Sequence, residues 1–448
     1  MRFQERFNLK YTPWQHQVDG KQAILSYKNY ALFFDMGTGK SATVIHALND
    51  IYNQTHRCRV LIVCPKSVIN VWPFQFQEHS EIPFDVFAEK TGSIAMKAKQ
   101  IQKRLNSKTA IVLNYEAIWR APMNALLKNT KWDVIVLDES HRISAPGSKV
   151  SWFCKDLKAE YKILLTGTPL SNPLSIYGQY RFLNPLIFGK SFNVFKTRYA
   201  IEINCGTFKK VVGYQNEDEL NQRIYSCAMR VKKSEVINLP PVTHIDLLAE
   251  LPKETLKLYH EFEEDMYAQW NAKKISASNA LVKMLRLQQI AGGYMKYDDG
   301  FGEHIETGKI DVLKDLLEDL PEDEPIVIFC RFTNEIQRIK EIKNRTWAEL
   351  SGKQDQLGEW QNAIFNSIVI QIQSGGVGID LTRACYCIYY STGYNLIEYE
   401  QSLARVDRPG QTKPVTIYHI IAENTIDQKI CKALMNKKQT VEDILTIV

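Results

Sequence analysis

The sequence lacks the features that most quickly assign a chain to a class. It has no CxxC pair and no His-rich tract. Its 9 cysteines are scattered, and the closest two, Cys385 and Cys387, are separated by one residue. That pattern argues against a zinc site or a disulfide framework, and a reducing compartment is expected. No apolar run approaches the ~18 residues that cross a bilayer, so no membrane partner is expected. The opening stretch MRFQERFNLKYTPWQHQ carries charges where a secretory leader needs an apolar core. Repeats and low-complexity tracts are also missing. Charge of one sign is scarce, because 56 basic residues face 50 acidic ones and leave a net +6. The pI of 8.6 permits nucleic-acid contact without demanding it, since a dedicated basic domain lies above about 9.

What is present points to α/β architecture. A length of 448 residues suggests two or three domains, and 45% hydrophobic residues suffice for ordinary cores. Short β-branched runs recur in YALFFD, RVLIVCP, TAIVLNYE, DVIVLDES and KILLTGT. Stretches with helical period, such as SATVIHALNDIY, lie between them. Strands alternating with amphipathic helices imply a parallel sheet buried on both faces. The pattern stops near residue 185, and 190–300 reads as charged, aromatic and mostly helical. Strands resume in PIVIFC, SIVIQI, CYCIYYS and PVTIYHII. The Pro-Pro break in KKSEVINLPPVT (232–243) marks the linker. The expected organisation is a first unit over 1–238, with a helical extension from about 186. The second covers 239–448, with a helical start, an α/β core from about 305 and C-terminal helices.

One stretch carries phosphate chemistry. FFDMGTGKSATVIHAL follows a strand and opens a helix. Gly37, Thr38 and Gly39 form a tight loop whose amides can point inward. Lys40 can reach β- and γ-phosphates of ATP, and the Ser41 hydroxyl can bind Mg²⁺. The strict phosphate-loop pattern wants glycine at 34, and this chain has Phe34. A glycine turn that merely caps a helix is the competing reading. A second motif shifts the balance. KWDVIVLDESHRI ends a strand in Asp138 and Glu139. The first can hold Mg²⁺ on a nucleotide, and the second can polarise the attacking water. Helix capping is the alternative for this pair. Strand C-termini gather on one sheet edge, which favours a shared site. In QSLARVDRPGQT, Arg405 and Arg408 could supply positive charge to a γ-phosphate if the two lobes close. A solvated basic helix face is the plainer possibility.

Together these motifs resemble superfamily 2 helicases, and more narrowly the Swi/Snf-like translocases of double-stranded DNA. The likeness covers nearly the whole chain and implies two RecA-like parallel-sheet lobes with a helical insertion between them. FFDMGTGKS is similar to that family's loop, which does not keep the first glycine. YTPWQHQVDG resembles its entry motif, implying that Gln15 reads adenine. Asp138 and Glu139 lie in LDESH, with Ser140 where alanine is common. LIVCPKSVINVWPFQF and VLNYEAI resemble backbone-gripping motifs, implying DNA contact by Lys66, Ser67, Asn114 and Tyr115. LLTGTPLSNP implies coupling roles for Thr166, Gly167 and Thr168, with His141 as a sensor beside them. IQSGGVGIDLT implies nucleotide contacts from Gly378 and Asp380, the latter where asparagine is usual. The RxxRxGQ form of QSLARVDRPGQT implies catalytic roles for Gln401, Arg405 and Arg408. Ser374, flanked by Gly375 and Gly376, lets a phosphate approach closely. Trp72 and Trp119 read as core rather than as stacking platforms.

The resemblance implies a DNA-dependent ATPase that uses ATP and Mg²⁺ and moves on duplex DNA. Its setting would be replication, recombination or repair, in the cytoplasm of a bacterium or a phage-infected host. A monomer with possible replication or recombination partners is expected. Two other readings stay open: a helicase unwinding RNA or single strands, and a nucleotide-gated module that recruits another DNA enzyme.

Overall fold

A computed structural model describes residues 12–205, 209–271, 277–296, 301–375 and 379–446. It divides into two compact units, Met1–Asn238 with Gln439–Val448, and Leu239–Lys438. Residues 439–446 thus group with the first unit, whereas the sequence reading placed 239–448 in the second. Arg230 explains part of this, since its guanidinium pairs with Glu442 at 2.8 Å.

The first unit holds β1 (Asn29–Phe34), β2 (Val60–Cys64), β3 (Asp85–Ala88), β4 (Thr109–Asn114), β5 (Trp132–Asp138), β6 (Ala159–Leu165), β7 (Ala200–Asn204), β8 (Lys209–Tyr214) and β9 (Ala228–Val231). Seven of these form one parallel sheet in the order β3-β4-β2-β5-β6-β1-β9. The central strands are buried along their length, as VLIVC of β2 shows. Burying each Val, Leu or Ile there contributes roughly 1.5–3 kcal/mol. Register then fixes the functional edge. Asp138 of β5 lies opposite Leu165 of β6, and Leu165 lies opposite Leu32 of β1. Because the strands are parallel, the residues following all three emerge side by side at the C-terminal edge of the sheet.

The second unit holds β10 (Val242–Ala249), β11 (Tyr294–Lys296), β12 (Gly302–His304), β13 (Ile326–Cys330), β14 (Trp347–Leu350), β15 (Ser367–Gln371), β16 (Tyr386–Tyr389) and β17 (Val415–Ala422). Its sheet is also parallel, in the order β10-β17-β16-β13-β15-β14. The helix Gly308–Asp319 buries Ile310, Leu313, Leu316 and Leu317 in the same core as Ile328, Val369 and Ile388. The spacing of those four residues is that of one helical face.

The stretch read as mostly helical does contain the helices Lys253–Asn271 and Ala277–Ala291. It also contributes β9 to the first sheet, β10 to the second, the antiparallel pair β7–β8, and β11, which pairs with β12 just beyond it. None of these strands has a continuous apolar run. β10 is an edge strand with most of its residues exposed, so VTHIDLLA gives a weak period-2 signal. The final stretch is a single helix, Ile426–Thr446.

Glu335, in the first turn of the helix Thr333–Lys340, is a buried carboxyl in the second unit. One of its oxygens accepts from Arg331 N, Phe332 N and Ser391 Oγ. Burial pushes its pKa up to about 7, against the pull of nearby Lys309. The folded state therefore holds this proton more tightly than the unfolded chain. Stability from this group is fully present below about 4.5 and is lost as pH rises through about 7. The expected loss is on the order of 3 kcal/mol. Thermal unfolding across that range should show the slope in the unaltered chain and a flatter profile in Glu335→Gln.

Candidate nucleotide site

The loop after β1 is built for an anion. Gly37 and Gly39 both take left-handed backbone angles, with φ of 82° and 86°. At Gly39 the φ favours glycine, and a Cβ would also displace the Gln17 amide, 1.8 Å away. Gly39 is the N-cap of the helix Lys40–Thr55, whose N-terminal end favours an anion. Thr38 is fully buried, and its hydroxyl donates to Asp35 O at 2.8 Å. Lys40 Nζ donates to Phe34 O at 2.8 Å and Asp35 O at 3.1 Å, which holds the ammonium over the loop. Ser41 follows in the first helical turn.

Gln15 is exposed at the start of its helix. Its amide donates to Asp19 at 2.8 Å on the exposed side of the helix Gln15–Tyr27. The side chain facing the loop is Gln17, whose amide lies 3.5 Å from Thr38 O. His16 adds a buried contact of 2.8 Å to the same carbonyl. Residues two apart on a helix point in different directions, so Gln15 and Gln17 meet different surroundings. The available signal was Gly20, which lies one turn beyond His16 and packs under Phe34 and Thr43. We expect Gln17→Ala to raise KM for ATP about tenfold with little change in kcat, and Gln15→Ala to do neither. Steady-state kinetics of the two variants would show which residue matters.

The acidic pair ends β5. Asp138 is buried, and burial together with the like charge of Glu139 holds its carboxyl well above the usual range. Lys40 and an indole hydrogen bond from Trp72 pull it back. Trp72 Nε1 donates to Asp138 Oδ2 at 3.1 Å, and Tyr115 OH donates to Asp138 O at 2.8 Å. Glu139 sits at φ 53°, a left-handed position unusual for a side chain of its size. Its Oε2 accepts from Thr166 Oγ1 at 3.4 Å, and His141 Nδ1 lies 3.4 Å from the same oxygen. His141 is also 3.2 Å from Thr166 Oγ1, which accepts from Thr168 N at 3.1 Å. Gly167 packs against the backbone of Phe34 and Met36. Of the expected coupling residues, Thr166 and His141 contact the Glu139 carboxylate, while Thr168 reaches it only through Thr166. Ser140 has a use the sequence did not suggest. Its hydroxyl donates to buried Gln179 at 2.7 Å, and Gln179 in turn donates to Pro169 O at 2.6 Å. This ties the acidic turn to the segment that follows Thr168.

The donor chemistry fits a hard cation. A hydroxyl and a buried carboxylate, with water and phosphate oxygens for the rest, suit Mg²⁺. A like-charged carboxylate pair beside a single lysine is a place where added positive charge is stabilising.

The expected nucleic-acid residues fare unevenly. Lys66 and Ser67 are exposed in the turn Lys66–Val68 after β2. Asn114 ends β4, and its amide donates to Glu116 at 2.7 Å. Tyr115 is withdrawn as a phosphate ligand, because it is 2% exposed and its hydroxyl is held by Asp138 O. Tyr115, Glu116, Trp119, Arg142, Ser148 and Lys149 are among the residues lining a cavity of about 270 Å³. Arg120 and Lys149 lie over the Trp119 ring at 5.2 and 5.1 Å.

In the second unit, Ser374 is exposed, and its hydroxyl is 3.4 Å from Gln371. Gly378 lies outside the described residues. Asp380 turns one carboxylate oxygen onto Thr382 N and Oγ1, at 2.9 and 2.7 Å, so it shapes its own turn. Gln401 and Arg405 are buried on the helix Leu396–Val406. Arg408 just beyond is more open. Its Nη1 donates to Ile379 O at 3.1 Å, with Asp380 Oδ2 at 4.0 Å.

A phosphate loop, a strand-end acidic pair on the same sheet edge and a second parallel lobe define a class of nucleotide-hydrolysing proteins. Comparison with known proteins narrows it. Residues 15–293 match the SNF2-related domain, and residues 308–410 match the helicase conserved C-terminal domain. The chain belongs to the SNF2 family of helicase-type ATPases. An uncharacterized ATP-dependent helicase of Mycoplasma genitalium is 26% identical over 432 residues, covering 92% of this chain and 40% of the relative. The DNA repair and recombination protein RDH54 of Saccharomyces cerevisiae is 25% identical over 430 residues, covering 86% and 44%. This chain therefore spans less than half the length of these relatives. Among solved structures, the Sulfolobus solfataricus SWI2/SNF2 ATPase core in complex with dsDNA matches with a TM-score of 0.47 at 25% identity, over 99% of this chain and 95% of that one. Among the described residues no helix is long and apolar enough to cross a membrane.

Proposed function

We propose that this chain is an ATP-driven motor core that moves along duplex DNA during DNA processing. The observation that carries the reading is the convergence of Lys40, Asp138, Glu139 and Thr166 on one edge of one sheet. In this reading the amides of the Gly37–Gly39 loop and Lys40 bind and orient the phosphates of ATP. Ser41 and Asp138 hold Mg²⁺, which when bound neutralises charge on the phosphate oxygens. Glu139 orients the attacking water and takes its proton, with Thr166 and His141 fixing its carboxylate. Arg405 and Arg408 stabilise the negative charge of the transferred phosphate.

Lys66, Ser67, Asn114 and Ser374 are the proposed contacts to DNA backbone. A motor that passes over any sequence must grip phosphate and sugar rather than read bases. The exposure of Lys66, Ser67 and Ser374 supports this, as does the naming of a relative as a DNA repair and recombination protein. The test is displacement of a third strand annealed to a duplex. ATP-dependent release from duplex DNA supports translocation, and release that occurs only from forked or RNA substrates overturns the duplex reading.

A further inference from the structure

The two loops proposed to grip DNA in the first unit share one destination. The first runs from β2 through the exposed turn Lys66–Val68 into the helix Val71–His79. Pro73 is tolerated in that helix because it falls in the first turn, where the missing N–H has no intrahelical partner anyway. Trp72, in the same turn, is 1% exposed and donates its indole N–H to Asp138 Oδ2. The second loop follows β4. Asn114 is its expected DNA contact, and the very next residue, Tyr115, donates its hydroxyl to Asp138 O. Each loop therefore places an aromatic donor on Asp138, one on the carboxylate and one on the main chain. An indole N–H can only donate, so the Trp72 bond has a fixed sense. Five residues separate Lys66 from Trp72, and none separate Asn114 from Tyr115. Packed side chains of this kind do not absorb a shift in the loop they belong to.

We infer that Trp72 and Tyr115 are positioning residues that transmit occupancy of the two DNA-facing loops to Asp138, so that backbone binding sets the orientation of the acidic pair. This rests on the DNA-dependent reading above. The two hydrogen bonds make a contiguous path from each loop to the acidic pair. If both aromatics act in this way, removing either donor uncouples DNA binding from turnover without removing the groups that hold DNA or phosphate.

The experiment is steady-state ATP hydrolysis with and without saturating duplex DNA, for the unaltered chain, Trp72→Phe and Tyr115→Phe. The expected result is a ratio of DNA-stimulated to basal kcat reduced by about fivefold or more in each variant. The DNA concentration for half-stimulation should stay within about twofold, because Lys66, Ser67 and Asn114 remain. A purely structural role would lower basal and stimulated rates by the same factor, and an unchanged ratio in both variants overturns the inference. Should Trp72→Phe fail to fold, Tyr115→Phe removes a single oxygen and carries the test alone. Absence of stimulation in the unaltered chain would instead overturn the DNA-dependent reading, and the inference with it.

Discussion

Arg408→Ala lowers ATP turnover by roughly 10³-fold or more and leaves nucleotide affinity nearly unchanged. The phosphate loop of the first unit is complete without it. Two left-handed glycines, a helix N-terminus, Lys40 and Gln17 all belong to that unit. Ground-state binding therefore does not need the arginine. Arg408 keeps donors in reserve, because the described contacts comprise one hydrogen bond to Ile379 O and a long 4.0 Å pairing with Asp380. A guanidinium has five N–H groups in a fixed fork that matches phosphate oxygens. Positive charge supplied as negative charge builds lowers the barrier, not the binding energy. Arg405 is a less clean probe, since it is 8% exposed and its removal also disturbs packing. Turnover and binding of a fluorescent nucleotide, measured on Arg408→Ala, separate the two effects. Turnover within about tenfold of normal would remove the charge-stabilising role.

Glu139→Gln should cost roughly 10²- to 10⁴-fold in kcat, with KM for ATP little changed. Glutamine matches the shape of glutamate and can still accept from Thr166, but it cannot take a proton from water. The backbone adds a reason to assign function here. Glu139 occupies a left-handed conformation, φ 53°, that costs about 1–2 kcal/mol for a residue with a Cβ and nothing for glycine. A carboxylate held where glycine would be less strained is a sign of use rather than of stability. The expected defect must appear in single-turnover hydrolysis. A variant with near-normal turnover would shift the water-activating role to another group.

Much of the architecture was legible because the physics that builds it is local. Fully buried parallel strands need β-branched apolar runs, and those runs stand out in the sequence. The strands that escaped notice are short or exposed: DVFA in β3, AMRV in β9, WAEL in β14 and the edge strand β10. Their pairing is decided by neighbours distant in sequence, which a window cannot see. The phosphate loop and acidic pair were legible for a similar reason, since each is contiguous. The approach of Gln17 to the phosphate loop was not legible because motif spacing does not tell which way a helix faces. Tyr115 was read as a surface ligand because it follows a strand end, whereas it opens the short helix Tyr115–Ile118 with its ring buried and its hydroxyl on Asp138 O. Trp72 was rightly read as core, but its hydrogen bond to a residue 66 positions away has no trace in the sequence.

The central claim is that ATP turnover here is driven by DNA. Steady-state hydrolysis should be compared without nucleic acid, with single-stranded DNA, with duplex DNA and with duplex RNA, at low and moderate salt. The account predicts strong stimulation by duplex DNA that weakens as salt rises, because phosphate contacts release counterions. Stimulation by single strands or RNA alone, or by none of them, would contradict it.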